Sequence, residues 1–535
     1  MKLLLLSGLI ACAAFVPARF AAADTDTEEV REEVQTRTGV IRGVDRDEHG
    51  VLAFKGIPYA EPPVGELRWH APVPHKAWDG VRDAHLPGSR CLSALEKDPV
   101  PGSPRSEDCL TLNIWTNSKK TSDKQPVMVW LHGGGFQFGS GSDPTIDGTK
   151  LAEKGVVLVT LNYRLGVLGF MAHPELDAEG ASGNYGLQDQ IAALRWVKDN
   201  IASFGGDPEN VTLFGESAGA MSVGILMMSP PAKGLFHKAI GQSGAFWDGK
   251  YGPLESFEES RLRGQAYMQK MGAKSISELR SMPADALNNA ALWNFDKNPI
   301  VTAFSPNVDH FVVPEFPAAV FARGEQMKIP LLAGWQEAEY YPFKAFSLPH
   351  ANAQEFRDAA QRMFGKERLA EFLKFYPAST DAEANTSADN LTSDFTISEQ
   401  TWQWLELQSK SGEPVYGYEF TYTSPYVAIA SHITDVPFVF GTLTPQHVIG
   451  SRVRAAALDY AFSDLLMNYW TNFGKKSDPN GPGLPHWPVY DEKGLIQILG
   501  KTTEPKGVAQ LERFRFLSSF RVDGVFPMRW RTDVQ

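Results

Sequence analysis

Cysteine is nearly absent, with three residues in 535. That is too few for a cysteine-rich zinc site or a disulfide scaffold. Basic charge is also in deficit. Lysine and arginine total 51 against 63 aspartate and glutamate, a formal net charge of −12. A chain of that sign lacks the electrostatic footprint for nucleic acid or an anionic membrane surface. Past the N-terminus no apolar run approaches the ~18 residues of a transmembrane helix. The 12 histidines show no HExxH and no closely paired spacing, so no metal is implied. Repeats at solenoid or propeller periods are missing too. What remains is a globular composition, 43% hydrophobic and 21% charged, which excludes wholesale disorder and coiled coil. At ~100–200 residues per domain the length suggests about three domains.

The N-terminus is the exception to the lack of apolar runs. Met1-Lys2 precedes an apolar stretch from Leu3 to Val16, then small residues up to Ala23 and Asp24. A basic start, a short apolar core and a small-residue break describe a secretory signal peptide, residues 1–23. Leu9-Ile10-Ala11-Cys12 offers a second reading, a lipoprotein box with Cys12 as lipid anchor. Removing the leader takes away Lys2 and Arg19 and no acid, so the mature chain is more acidic still. Cys91 and Cys109 are the cysteines left, and an even pair in an exported chain suggests one disulfide. The simple leader and single disulfide suggest bacterial export.

Two runs near the N-terminus, Thr38–Gly43 and Val51–Gly56, read as antiparallel strands. From about residue 110 the pattern changes. Pro126–Leu131 and Val156–Leu161 are nearly continuous apolar runs, as expected of central strands covered on both faces. Leu187, Ile191, Leu194, Val197 and Ile201 recur at helical spacing until Gly205-Gly206 stops them. Val211–Phe214 is another short strand. Strand and helix in alternation predict an α/β sheet. After about residue 250 the chain is helix-rich, with Asp381–Ser393 as its most loop-like stretch. Leu458, Phe462, Leu465, Leu466 and Tyr469 then line one helical face.

The chemistry concentrates at Gly215-Glu216-Ser217-Ala218-Gly219, a G-x-S-x-G between an apolar strand and an apolar helix. This strand–turn–helix context is that of a nucleophile elbow, where a sharp turn lifts the serine above the sheet. His132-Gly133-Gly134-Gly135-Phe136 follows the strand ending at Leu131. Such glycine-rich backbone can aim N–H groups at a developing oxyanion. A serine nucleophile needs a base, and the base an orienting acid, in the order Ser, acid, His. The histidine must therefore be His237, His310, His350, His432, His447 or His486. His432 has the best setting, in a loop-like stretch before the apolar run Val436–Phe440.

These residues resemble the type-B carboxylesterase family, the cholinesterase-like branch of the α/β-hydrolases. Phe54–Ala60 and Pro63–Trp69 match its N-terminal signature, and Glu107–Asn113 its second. Phe204–Pro208 through Gly215–Gly219 match its active-site signature. The resemblance implies a large, mostly parallel central sheet, a small antiparallel N-terminal sheet and helical insertions that wall the pocket. It also implies the Cys91–Cys109 disulfide. By position it makes Ser217 the nucleophile, His432 the base and Glu339 the acid, with Gly134, Gly135 and Ala218 as oxyanion donors. Ser243 resembles a serine that supports the triad from behind.

Departures from the family pattern mark where this chain differs. Tyr340 follows the acid where glycine is usual. Glu337 competes with Glu339, since both would point to one side of an extended segment. Asp435 stands where Glu is commoner, and Asp309-His310 where Asp-Gly is usual. Phe136, Phe246, Trp247, Tyr340 and Tyr341 are candidate pocket aromatics. The implied function is cofactor-free hydrolysis of a small carboxylic ester through an acyl-enzyme. The rivals are cleavage of an amide, lactone or carbamate, and a non-catalytic binding protein on the same fold. With motifs spread from residue 132 to 432, one large domain over 24–535 replaces the three suggested by length. Oligomeric state is not legible.

Overall fold

The computed structural model describes residues 29–95, 104–180, 183–246, 254–291, 304–341, 352–444 and 453–522. The leader 1–23 with Cys12, and also Trp247, His350 and His447, lie outside the described residues. No helix among the described residues is long and apolar enough to cross a membrane.

Ten strands form the main sheet. In chain order they are β1 (Leu52–Pro58), β2 (Thr111–Thr116), β3 (Gln125–Leu131), β4 (Val157–Leu161), β5 (Gly206–Glu216), β6 (Lys238–Gln242), β7 (Leu331–Gln336), β8 (Val415–Phe420), β9 (Leu495–Leu499) and β10 (Glu504–Gly507). Across the sheet the order is β10-β9-β8-β7-β6-β5-β3-β4-β2-β1. The block from β9 to β4 is parallel, and the pairs at both edges are antiparallel.

The continuous apolar runs explain the centre of this sheet. In β3, Val127, Val129 and Leu131 enter one core cluster while Met128 and Trp130 enter another. Alternate side chains leave a strand on opposite faces. A strand buried on both faces is therefore apolar at nearly every position. Helix α1 (Tyr185–Asn200) buries Leu187, Ile191, Leu194 and Val197, one stripe at steps of three and four. Helix α2 (Ala218–Leu226) is buried throughout, directly after β5.

Three expectations are corrected. Val40–Arg42 pairs antiparallel with Glu33–Gln35, but parallel with Val81–Asp83, so the small sheet is mixed. The run at 51–56 does not join it beyond a single Val44–Ala53 bridge. It becomes β1 because Leu52, Phe54 and Ile57 are buried in the main core. The loop-like stretch is helix α3 (Asp381–Ser393). Thr380 caps it by accepting the Glu383 N–H, and Ala384, Ala388 and Leu391 form its buried face. Polar density hid a spacing of four and three that suffices to dock one side. Helix α4 (Glu399–Ser409) follows, then α5 (Asp435–Phe440) and α6 (Ala457–Lys476). In α6 the first turn with Leu458 is exposed, and burial begins at Asp459.

Cys91 and Cys109 are bonded and buried. Closing a loop of this size contributes about 3 kcal/mol in the chain-entropy account. The parallel block matters most for function. It brings the C-terminal ends of β3, β5, β7 and β8 to one sheet edge, where open α/β sheets place their sites.

Candidate active site

Ser217 sits between β5 and α2 with φ 55° and ψ −122°. That strained conformation is held from three sides. The Ser217 N–H donates to the Gln242 carbonyl at 2.9 Å. A Cβ on Gly215 would lie 2.7 Å from the Leu131 carbonyl oxygen, and one on Gly219 only 2.0 Å from it. The two motif glycines are therefore required by the close approach of β3, and the turn between them has little freedom.

The chain after β8 returns His432 to this point. Its Nε2 lies 2.9 Å from Ser217 Oγ, and its Nδ1 2.5 Å from Glu339 Oε2. An ionised carboxylate can only accept, so Nδ1 carries the proton and Nε2 is left to accept from the serine hydroxyl. The other Glu339 oxygen accepts the Gln336 N–H at 2.7 Å. Among the other histidines, His237 accepts from the Val211 N–H, while His310 and His486 are exposed.

Glu337 and Glu339 do not share a face. Strand β7 ends at Gln336, and a turn follows in which Ala338 bridges Ser431, next to His432. Glu337 is left exposed while Glu339 is fully buried.

The glycine loop after β3 packs under Ser217. A Cβ on Gly133 would meet Glu216 Oε2 at 2.3 Å, and one on Gly134 the Phe138 carbonyl at 2.1 Å. The Gly134 carbonyl accepts the N–H groups of Gln137 and Phe138 at 2.9 and 3.2 Å. Those bonds polarise the same peptide that carries the Gly135 N–H, making it a better donor. Gly135 has φ 60°, and beyond its immediate chain neighbours no described atom lies within 4 Å of where its Cβ would be. Ala218, buried, opens α2 with its N–H at the positive end of the helix. His132 stacks on Tyr163, and burial depresses its pKa to about 4, so it is neutral.

Acids that sequence reading left without a role crowd the imidazole. Glu216 Oε1 is 3.3 Å from His432 Nε2. Asp435 is buried on α5 and accepts the Tyr418 hydroxyl at 2.7 Å. Burial opposes a charge on His432, but Glu339 and Glu216 outweigh it and raise its pKa. Burial likewise holds the Glu216 carboxyl well above its ordinary range, while His432 pulls it down. The signal for Glu216 was its place beside Ser217. For Tyr418 there was none.

Ser243, also at positive φ (51°), donates its N–H to Gly334 at 2.9 Å and receives the Gln336 side chain at 3.5 Å. It thus reaches the Glu339 turn through Gln336. Two expected wall residues are core residues instead. Phe136 stands edge-on to Phe170, and Phe246 packs on Phe321. Tyr340 is half-buried and Tyr341 exposed. Phe138, unremarked in the sequence, is 42% exposed, with its ring against Gly134. His310, in the usual glycine position, takes a glycine conformation with φ 62°.

Comparison with known proteins identifies the family. A model of the carboxylesterase family matches residues 30–516. The chain is 37% identical to the fumonisin B1 esterase of Sphingopyxis macrogoltabida, covering 90% of this chain and 88% of that one. It is also 37% identical to the para-nitrobenzyl esterase of Bacillus subtilis, over 86% of this chain and 93% of the other. The crystal structure of a Geobacillus stearothermophilus carboxylesterase superposes with a TM-score of 0.78 at 36% identity, covering 91% of this chain and 99% of that one. The chain therefore belongs to the carboxylesterase family and is a carboxylic ester hydrolase of the α/β-hydrolase fold.

Proposed function

We propose that ester cleavage runs through an acyl-enzyme on Ser217, with His432 as base and Glu339 as its orienting acid. The hydrogen-bonded line from Ser217 Oγ through both ring nitrogens to Glu339 carries this reading. His432 takes the Ser217 proton as Oγ attacks the ester carbonyl, and Glu339 stabilises the imidazolium. The oxyanion accepts from the N–H groups of Gly134, Gly135 and Ala218, one such donor being worth ~3–4 kcal/mol of barrier. His432 returns the proton to the departing alkoxide, and the alcohol leaves. Water, deprotonated by His432, then attacks the acyl carbonyl, and Ser217 regains its proton as the acid is released.

The leader 1–23 and the buried disulfide support export, with 24–535 as one mature domain; lipid attachment at Cys12 is the alternative outcome of processing. The substrate is a small-molecule ester. Fumonisin B1 and para-nitrobenzyl esters, named for the relatives, belong in the first test panel. A fluorophosphonate probe should label Ser217 in the folded protein, located by peptide mass, and matched esters should be cleaved faster than the corresponding amides. Folded protein that is not labelled, or faster amide cleavage, refutes the reading.

The pH profile is a separate expectation. His432 must be neutral to accept the proton, and the neighbouring carboxylates favour its charged form. The acidic limb of kcat/KM should therefore have its midpoint above the ~6.5 of an unperturbed histidine. Glu216→Gln removes a carboxyl whose ionised form favours the charged imidazole and should move that midpoint down. A limb at or below 6.5 in the unmodified enzyme contradicts this.

A further inference from the structure

The helical stretch from 381 to 409 is not regular. Helix α3 passes into five residues of π-helix, Asp394–Ser398, before α4 begins. A π turn gives up the regular bonding pattern and is frequent at functional sites. Here groups outside the helix hold it. The buried Asp394 carboxylate accepts the Tyr376 hydroxyl at 2.8 Å and pairs with Arg513 at 2.8 Å. At the junction itself, Ser393 Oγ accepts the Tyr340 N–H at 3.0 Å.

Tyr340 directly follows Glu339. The turn that carries this acid leaves the sheet at Gln336, so the ladder of β7 no longer sets its course. Its N-terminal part is tied to the neighbouring chain by Glu337 N–H to Phe420 and Ala338 N–H to Ala430. On the far side of Glu339, Ser393 supplies a tie from a different element. The carboxylate is thus clamped between the Ala338–Ser431 bridge and the π junction.

We propose that Ser393 is a positioning residue: its hydroxyl anchors the Tyr340 N–H and so fixes the turn that aims Glu339 at His432. The proposal rests on the reading of Glu339 as the acid of the triad. Loss of the anchor loosens the Glu339–His432 contact while leaving Ser217 and the oxyanion loop untouched. Turnover should suffer, and binding should not. A weaker carboxylate contact also lowers the affinity of the imidazole for its proton.

The test is Ser393→Ala beside Ser393→Thr, each assayed across pH and normalised to fluorophosphonate-titrated sites. Ser393→Ala should lower kcat about tenfold with KM within about twofold, and shift the acidic limb of kcat to lower pH; Ser393→Thr, which keeps the hydroxyl, should restore most of the rate. A kcat within twofold of the unmodified enzyme, an unmoved limb, or no rescue by threonine overturns the proposal. The same change in a Glu339→Gln background gives a second reading that tolerates some loss of stability. If Ser393 acts through Glu339, it should cost little further there, and additive losses count against it. Should Glu339→Gln itself keep full turnover, the acid assignment has failed. Should Glu339→Gln lose turnover while Ser393→Ala does not, the positioning role alone has failed.

Discussion

Ser217→Ala should abolish turnover, with kcat down by about 10⁴–10⁶-fold. The expectation is that large because, in the proposed mechanism, the residue carries the attacking atom and nothing beside it can substitute. Glu216 is a poor candidate for rescue. It is held against His432 and Gly133 rather than in the place of Oγ. The variant should fold. Alanine is smaller than serine, keeps the Ser217 N–H bond to Gln242, and leaves both motif glycines in place. The Ser217 backbone already has its unusual φ of 55°, and serine and alanine bear that strain alike. Substrate affinity should survive, so equilibrium binding of an uncleaved ester is the control. Steady-state kinetics on the best ester of the panel decide the matter. Activity within a hundredfold of the unmodified enzyme, with contaminating esterases excluded, would sink the nucleophile assignment.

The second large effect should come from Glu339→Gln, with a fall in kcat of about 10³–10⁴-fold. Glutamine fills the same buried space, but its amide can donate a proton towards His432 Nδ1. The ring would then keep its own proton on Nε2, facing Ser217, and could not act as base. Glu337→Gln, two residues away on the exposed side of the turn, should leave kcat within about twofold. The paired variants separate orientation of the base from a general change in local charge, since both remove one negative charge from the same turn. A large loss confined to Glu337→Gln would reverse the assignment.

Much of the site was legible because it rests on local sterics. Gly215 and Gly219 follow from a turn that meets β3 within van der Waals range, and the glycine run after Leu131 follows from a loop packed under Ser217. Requirements of that kind force particular residue types at adjacent positions, so they appear as motifs. The central strands were legible for a similar reason. Burial on both faces leaves almost no polar position at the centre of β3 and β4, Thr160 being the exception, with its hydroxyl bonded to Asn113 and the Gly141 carbonyl.

Other features had no local signature. The polar stretch at 381–393 docks by a narrow apolar stripe, and composition argued for a loop. Phe136 and Phe246 were expected in a pocket wall, yet aromatic character does not reveal which ring a side chain meets. The carboxylates around His432 come from residues 216, 339 and 435, and their shared field arises only when their strand ends lie side by side.

Sequence alone therefore determined the family resemblance, the α/β order of elements, the place of Ser217 and the glycine loop, all written in neighbouring residues. Tertiary structure decided that Glu339 rather than Glu337 meets the imidazole, and that His432 of six candidates lies against Ser217. It also decided that a π junction backs the turn that carries Glu339. The physical reason is distance along the chain. A turn's steric demands are met within a few residues. Proximity of Ser217, Glu339 and His432 exists only because a parallel sheet brings β5, β7 and β8 to one edge, and the strand order that does so is not written at any one of those positions.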